Sequence, residues 1–109
     1  MDTIKSSAEI SSLFKSGKRF RTPYFTLIVL RNQEQHGLSG RVAFIAGKKL
    51  GNAVWRNSAK RRMRSLCREV GGPFDSYDML LVAKRGVTEA PYSRLLETMR
   101  KTVSKAGLQ

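Results

Sequence analysis

Apolar positions recur along the chain at two different periods, and the changes of period mark its elements. Ile10, Leu13 and Phe14 lie three and four apart behind Ser6-Ser7-Ala8-Glu9, which has capping-box spacing, with Ser6 at the cap and Glu9 reaching back. This predicts a short first helix, a left-handed stop at Gly17 and frayed residues at 1–5. Tyr24 to Leu30 is a run of β-branched, aromatic and aliphatic residues, apolar at both alternating sets of positions. Such a strand must be covered on both faces or line a cleft. Arg41 to Ala46 reads as a second strand, antiparallel to the first, and Asp78 to Ala83 as a third, interior because its apolarity is continuous. Between them Trp55, Ala59, Met63, Leu66, Cys67 and Val70 share one helical face, from a cap at Asn52 to a stop at Gly71-Gly72-Pro73. A last helix opens across Thr88 to Pro91, carries Tyr92, Leu95, Leu96, Met99 and Val103 on its apolar stripe, and closes at Gly107.

The order is αββαβα, an α+β sandwich of one sheet packed by helices. No repeat, linker or low-complexity tract divides 1–109, so a single domain is expected. A chain of 109 residues buries roughly 60–70% of its unfolded surface, enough for a core without staples. Strand 41–46, helix 52–70 and strand 78–83 form a βαβ unit, whose crossover is right-handed as a general rule.

Charge changes the picture most in the middle helix and its approach. From Lys48 to Arg68 there are eight basic residues and no acidic one. Arg56, Lys60, Arg64 and Arg68 form an i, i+4 row, with Asn57 and Arg61 beside it, broadly opposite the apolar stripe. Each like-charge i, i+4 pair costs a free helix about 0.2–0.5 kcal/mol. A solvated helix face normally mixes both signs, so this one calls for an external polyanion. The whole chain agrees, with 21 Lys and Arg against 8 Asp and Glu and a formal charge of +13. Nucleic acid fits better than membrane, because no apolar run approaches the ~18 residues of a span. No signal peptide is visible in the first residues, which makes a cytoplasmic location the expectation.

Other chemistry is sparse. Lys18-Arg19-Phe20-Arg21 interleaves an aromatic with cations. That suits single-stranded nucleic acid, with a base stacked on Phe20, and equally a loop or edge strand whose aromatic folds back on the core. His36 is a lone loop histidine, and one Cys with one His leaves no zinc site. Cys67 lies on an apolar stripe and reads as a small core hydrophobe, although Arg64 and Arg68 nearby would favour a thiolate. The acids are Asp2, Glu9, Glu34, Glu69, Asp75, Asp78, Glu89 and Glu97, with no carboxylate pair set for metal-dependent hydrolysis. The residues describe a binder without an active site of its own.

One stretch carries a family resemblance. Lys48-Lys49-Leu50-Gly51-Asn52-Ala53-Val54, then Arg56-Asn57, then Lys60-Arg61-Arg62 and Arg64, resembles the signature of the bacterial ribonuclease P protein subunit. The match is residue-specific from 48 to 64, and element order extends it over nearly the whole chain. Ser58 departs from it, standing where the family has the second Arg of Arg-Asn-Arg. A hydroxyl cannot supply a charged fork to phosphate, so a weaker contact is expected there, offset by Arg62 or Arg61.

The resemblance implies a left-handed βαβ crossover, against the general rule. It implies an accessory role in an endoribonuclease that removes the 5′ leader of precursor tRNA by phosphodiester hydrolysis. The RNA subunit carries catalysis and uses Mg2+, and none is bound by the protein. Partners are the RNA subunit, as a 1:1 complex, and precursor tRNA. Residues implied to bind the RNA subunit are Lys48, Lys49, Asn52, Arg56, Asn57, Lys60, Arg61, Arg64 and Arg68. A leader-binding cleft is implied at Ile10, Phe14, Ile28 and Val103, with Phe20 added for its cationic neighbours. Plain core packing is the competing reading for the first four. Two other functions fit parts of the sequence: a stand-alone RNA- or DNA-binding module reading a groove with this helix, and an enzyme built on Cys67.

Overall fold

In the computed structural model, residues 1–31 and 39–109 are described; His36 and Glu34 lie outside them. The elements are α1 (Ser7–Ser16), β1 (Lys18–Arg21), β2 (Phe25–Arg31), β3 (Arg41–Ile45), α2 (Ala53–Glu69), β4 (Tyr77–Ala83) and α3 (Tyr92–Lys105). Short 3-10 turns at Lys48–Leu50 and Arg85–Thr88 lead into α2 and follow β4. The four strands form one sheet in the order β1-β2-β4-β3. β1/β2 and β2/β4 are antiparallel, while β3/β4 is parallel, as a βαβ unit requires. The α+β expectation holds, with one strand more than the sequence pattern marked.

The continuous apolarity of β4 has the expected consequence: β4 is interior and separates β2 from β3. The second predicted strand therefore runs opposite to the first but is not its neighbour. Alternation along the strands distributes side chains to two clusters. Phe25, Leu27 and Val29 of β2 and Met79, Leu81 and Ala83 of β4 pack with Ala59, Met63 and Leu66 of α2 and Leu95, Met99 and Val103 of α3. Ile28 and Leu80 face the other way and pack with Leu13 of α1, Ala43 and Ile4. The two-faced strand is thus covered on both faces.

Helix ends follow local chemistry. Ser6 Oγ accepts from Glu9 N at 3.3 Å, and Asn52 Oδ1 accepts from Trp55 N at 3.0 Å. α2 stops in a Schellman arrangement, with Gly72 N donating to Cys67 O, Gly71 N donating to Arg68 O, and Gly71 at φ +84°. Gly17 corrects an expectation. Its φ of −72° is ordinary, so no left-handed stop exists there. A Cβ at Gly17 would stand 2.6 Å from Leu13 O and overlap Ile28 Cγ2, so the glycine is needed for closeness rather than for handedness. The N-terminus also differs from expectation. Asp2 to Ile4 pair along β3, with Ile4 N donating to Val42 O and Val42 N to Asp2 O. Ile4 is buried, and that apolar anchor orders a segment expected to fray.

An ionic clamp joins α1 to the sheet. Arg41 Nη2 lies 2.6 Å from Glu9 Oε2 and 2.7 Å from Asp78 Oδ2, and Arg41 Nε donates to Asp78 Oδ1 at 3.1 Å. The two carboxylates hold the guanidinium pKa well above its ordinary value, the hydrogen bonds it donates to Asp78 and then to Glu9 being the main causes. Arg41→Ala removes the guanidinium shared by Glu9 and by Asp78, whose side chain is only 12% exposed. Urea denaturation is expected to register a loss of about 2–4 kcal/mol for that variant. Removing the exposed Lys101–Glu97 pair by Lys101→Ala should cost under about 0.5 kcal/mol.

Candidate nucleic-acid interface

The middle helix presents the surface its sequence foretells. Ala59, Met63, Leu66, Cys67 and Val70 are buried, while Asn57, Arg61, Arg64 and Arg68 are exposed. Arg56 and Lys60 are half-buried at the margin, and Lys48 and Lys49 are exposed on the 3-10 turn leading in. Among the described residues, no cation of α2 is paired with a carboxylate; the ion pairs are those of Arg41 and Lys101. The six positive charges of α2, like those of Lys48 and Lys49 before it, thus have no carboxylate partner among the described residues. Arg64 rests over the Phe44 ring, 5.4 Å from its centroid, which steadies the stem without neutralising the charge.

Two details sharpen this face. Arg56 Nε is buried with no hydrogen-bond partner among the described residues. Val54 is 77% exposed, an apolar contact point beside the cations. Asn52 has its side-chain oxygen committed to the cap, so only its amide nitrogen remains for a ligand.

Arg62 behaves differently from its neighbour. Its Nη1 donates to Ala90 O at 2.7 Å and Val87 O at 3.1 Å, tying α2 to the turn before α3. It therefore does not make good the missing Arg at Ser58, and Arg61 is the free candidate. The signal was in the spacing: Arg62 is three residues after Ala59 and four before Leu66, on the flank of the apolar stripe. Trp55 on the same flank donates from Nε1 to Thr88 Oγ1 at 2.8 Å.

The residues assigned to a leader cleft do not form one cleft. Ile10, Phe14 and Ile28 belong to the α1 side of the sheet, whereas Val103 and Phe20 pack with the α2/α3 cluster on the opposite side. Ile28 and Val103 are fully buried, so both are core residues. What remains open on the α1 side is a set the sequence reading passed over. Phe14, Ile10, Leu30, Ile45 and Val82 are all half-buried, because one ten-residue helix cannot cover that face. Arg19 stands over this surface, 5.7 Å from the Phe14 ring centroid and 2.6 Å from Phe14 O.

Cys67 is fully buried, and burial pushes its thiol up to about 11, with Arg68 acting weakly in the other direction. It is a core hydrophobe rather than a nucleophile. Among the described residues, no three of His, Cys, Asp and Glu gather as a metal site. The carboxylates of Glu9 and Asp78 do converge, but on Arg41, which does not suit a cation. Nor is any helix of the described residues long and apolar enough to cross a membrane.

With this geometry in view, comparison with known proteins is decisive. The family model described as Ribonuclease P matches residues 1–107. The chain belongs to the ribonuclease P protein family. The ribonuclease P protein component of Streptococcus mutans is 33% identical over 105 residues, covering 96% of this chain and 86% of that protein. Its Streptococcus agalactiae counterpart is 31% identical and covered to 94%. The Staphylococcus aureus RNase P protein superposes with a TM-score of 0.83 at 21% identity, covering 99% of this chain and 97% of that one. The Thermotoga maritima RNase P protein gives 0.79 at 19%, covering 96% and 97%. At those identities the superpositions speak for the fold, which they share over its whole length.

For a ribonuclease P protein, the adjacent arginines of α2 make a sharp test. Arg61→Ala should leave the melting temperature within about 2 °C and weaken binding to the RNA subunit by about tenfold. Arg62→Ala should lower stability by about 1–3 kcal/mol, since two carbonyls lose a charged donor. Paired thermal melts and filter-binding titrations separate the two.

Proposed function

We propose that this chain binds the RNA subunit of ribonuclease P and the single-stranded 5′ leader of precursor tRNA, supporting removal of that leader. The single observation that carries the reading is the α2 face, with its cations unrelieved by any acid among the described residues. Family membership favours the RNA subunit as that polyanion. Lys48, Lys49, Arg56, Lys60, Arg61, Arg64 and Arg68 supply positive charge to RNA phosphates, and Asn52 and Asn57 supply amides.

The leader is assigned to the half-covered α1 side of the sheet. Phe14, Leu30, Ile45 and Val82 offer apolar contact to unstacked bases, and Arg19 offers charge beside Phe14. Phe14 is the one aromatic there among the described residues, so base contact is mainly aliphatic. The protein lowers the repulsion between two RNAs and holds one by its free end. Hydrolysis and its magnesium belong to the RNA subunit in this scheme, the complex is 1:1, and a cytoplasmic site of action fits a role in tRNA maturation.

At low magnesium, where RNA–RNA repulsion is least screened, adding the protein to its RNA subunit and precursor tRNA should speed cleavage by about tenfold or more. A rate equal to that of RNA alone overturns the assignment. If about six phosphates are neutralised, the log–log dependence of RNA-subunit affinity on salt should have a slope of roughly −4 to −5. A flat titration removes the charge argument.

A further inference from the structure

A second basic surface lies at the far edge of the sheet from β3, between β1 and α3. It is a groove of about 590 Å³ walled by Lys18, Phe20 and Arg21 on one side and Thr98, Lys101 and Lys105 on the other. A recess of about 400 Å³ continues it past Pro23 and Thr98 toward Arg94. The one carboxylate there is Glu97, which meets Lys101 at 3.5 Å with both groups largely exposed. A basic edge strand is itself a known guard against strand addition, and Lys18, Arg19 and Arg21 serve that purpose. Edge protection does not account for Lys101 and Lys105, which face the strand from a helix one turn apart.

Alternation along β1 links this groove to the opposite face. Arg19 stands over Phe14 on the α1 side, and Lys18 stands 5.5 Å from the centroid of Phe20, whose ring packs with the α2/α3 cluster. Each face of the edge strand thus carries a cation beside an aromatic, and nothing but the width of one strand separates them.

We infer that a long single-stranded leader crosses this edge, so that nucleotides upstream of those on the α1 side seat their phosphates in the groove between β1 and α3. The inference rests on the proposed leader-binding role. Lys18, Lys101 and Lys105 contact phosphates, with Arg21 at the rim, and a base lies against the exposed part of Phe20. RNA is favoured over a protein strand because the groove is walled by cations from both β1 and α3, and basic side chains along an edge strand oppose strand addition. Thr98 and Thr102 already donate to Arg94 O and Thr98 O.

The test uses the assembled enzyme with its RNA subunit and two precursors, with leaders of roughly four and roughly twelve nucleotides. The double variant Lys101→Ala, Lys105→Ala removes exposed side chains from α3 and should fold normally. Expected is an approximately tenfold loss of affinity for the long-leader precursor, with its salt slope shallower by about 1.4, and no change for the short one. Equal losses for both, or none for either, overturn the inference. If wild-type protein fails to stimulate cleavage of either precursor, the proposed function falls first; if it stimulates both and the long leader ignores the variant, only the groove is lost.

Discussion

A sheet that is apolar on both sides governs this molecule. β2 and β4 alternate large hydrophobic residues to either face, and burial of each face is favourable. Two helices and the turn holding Val87 cover the middle of one side, with Phe20, Phe44 and Tyr77 half-buried around it. The other side has only the ten residues of α1, helped by Ile4 and clamped through Arg41. Cover is therefore fuller on one side than on the other. The open portion is a consequence of unequal helix supply rather than of any residue designed into a cleft.

The same asymmetry sorts the charges. α2 spends its apolar stripe on the well-covered side, so its opposite face projects outward with its cations intact. Arg61 and Arg62 show how finely the helix divides them. One residue of rotation, about 100°, separates a side chain in solvent from one that holds two backbone carbonyls. A family signature treats such neighbours as one basic cluster. The structure gives them opposite duties, one outward and one inward.

Much of this was legible in the sequence, for reasons that can be named. The period of Trp55 to Val70 and the cap at Asn52 located α2 to within a residue, because a buried stripe and a cap leave unambiguous marks. β4 was placed inside the sheet by its unbroken apolarity. β1 was not marked as a strand of its own, since three of its four residues are charged and its order comes from pairing with β2. The pairing of Asp2 to Ile4 is likewise supplied by the open side of β3. Val103 and Ile28 were drawn into a cleft by resemblance, while their periodicity already pointed to the core. Half-burial, the property that picks out Leu30, Ile45 and Val82, depends on how much helix lies overhead, and no local pattern encodes that.

The tight passage at Gly17 has an effect on how the molecule meets anything laid across it. A single residue joins α1 to β1, and even a methyl group there would collide with Leu13 O and Ile28. The helix cannot slide over the sheet without dragging the outermost strand along. The gap beside α1 consequently has a preset gauge, and a guest of different bulk must be met by rotamer changes at Phe14 and Arg19 rather than by a hinge.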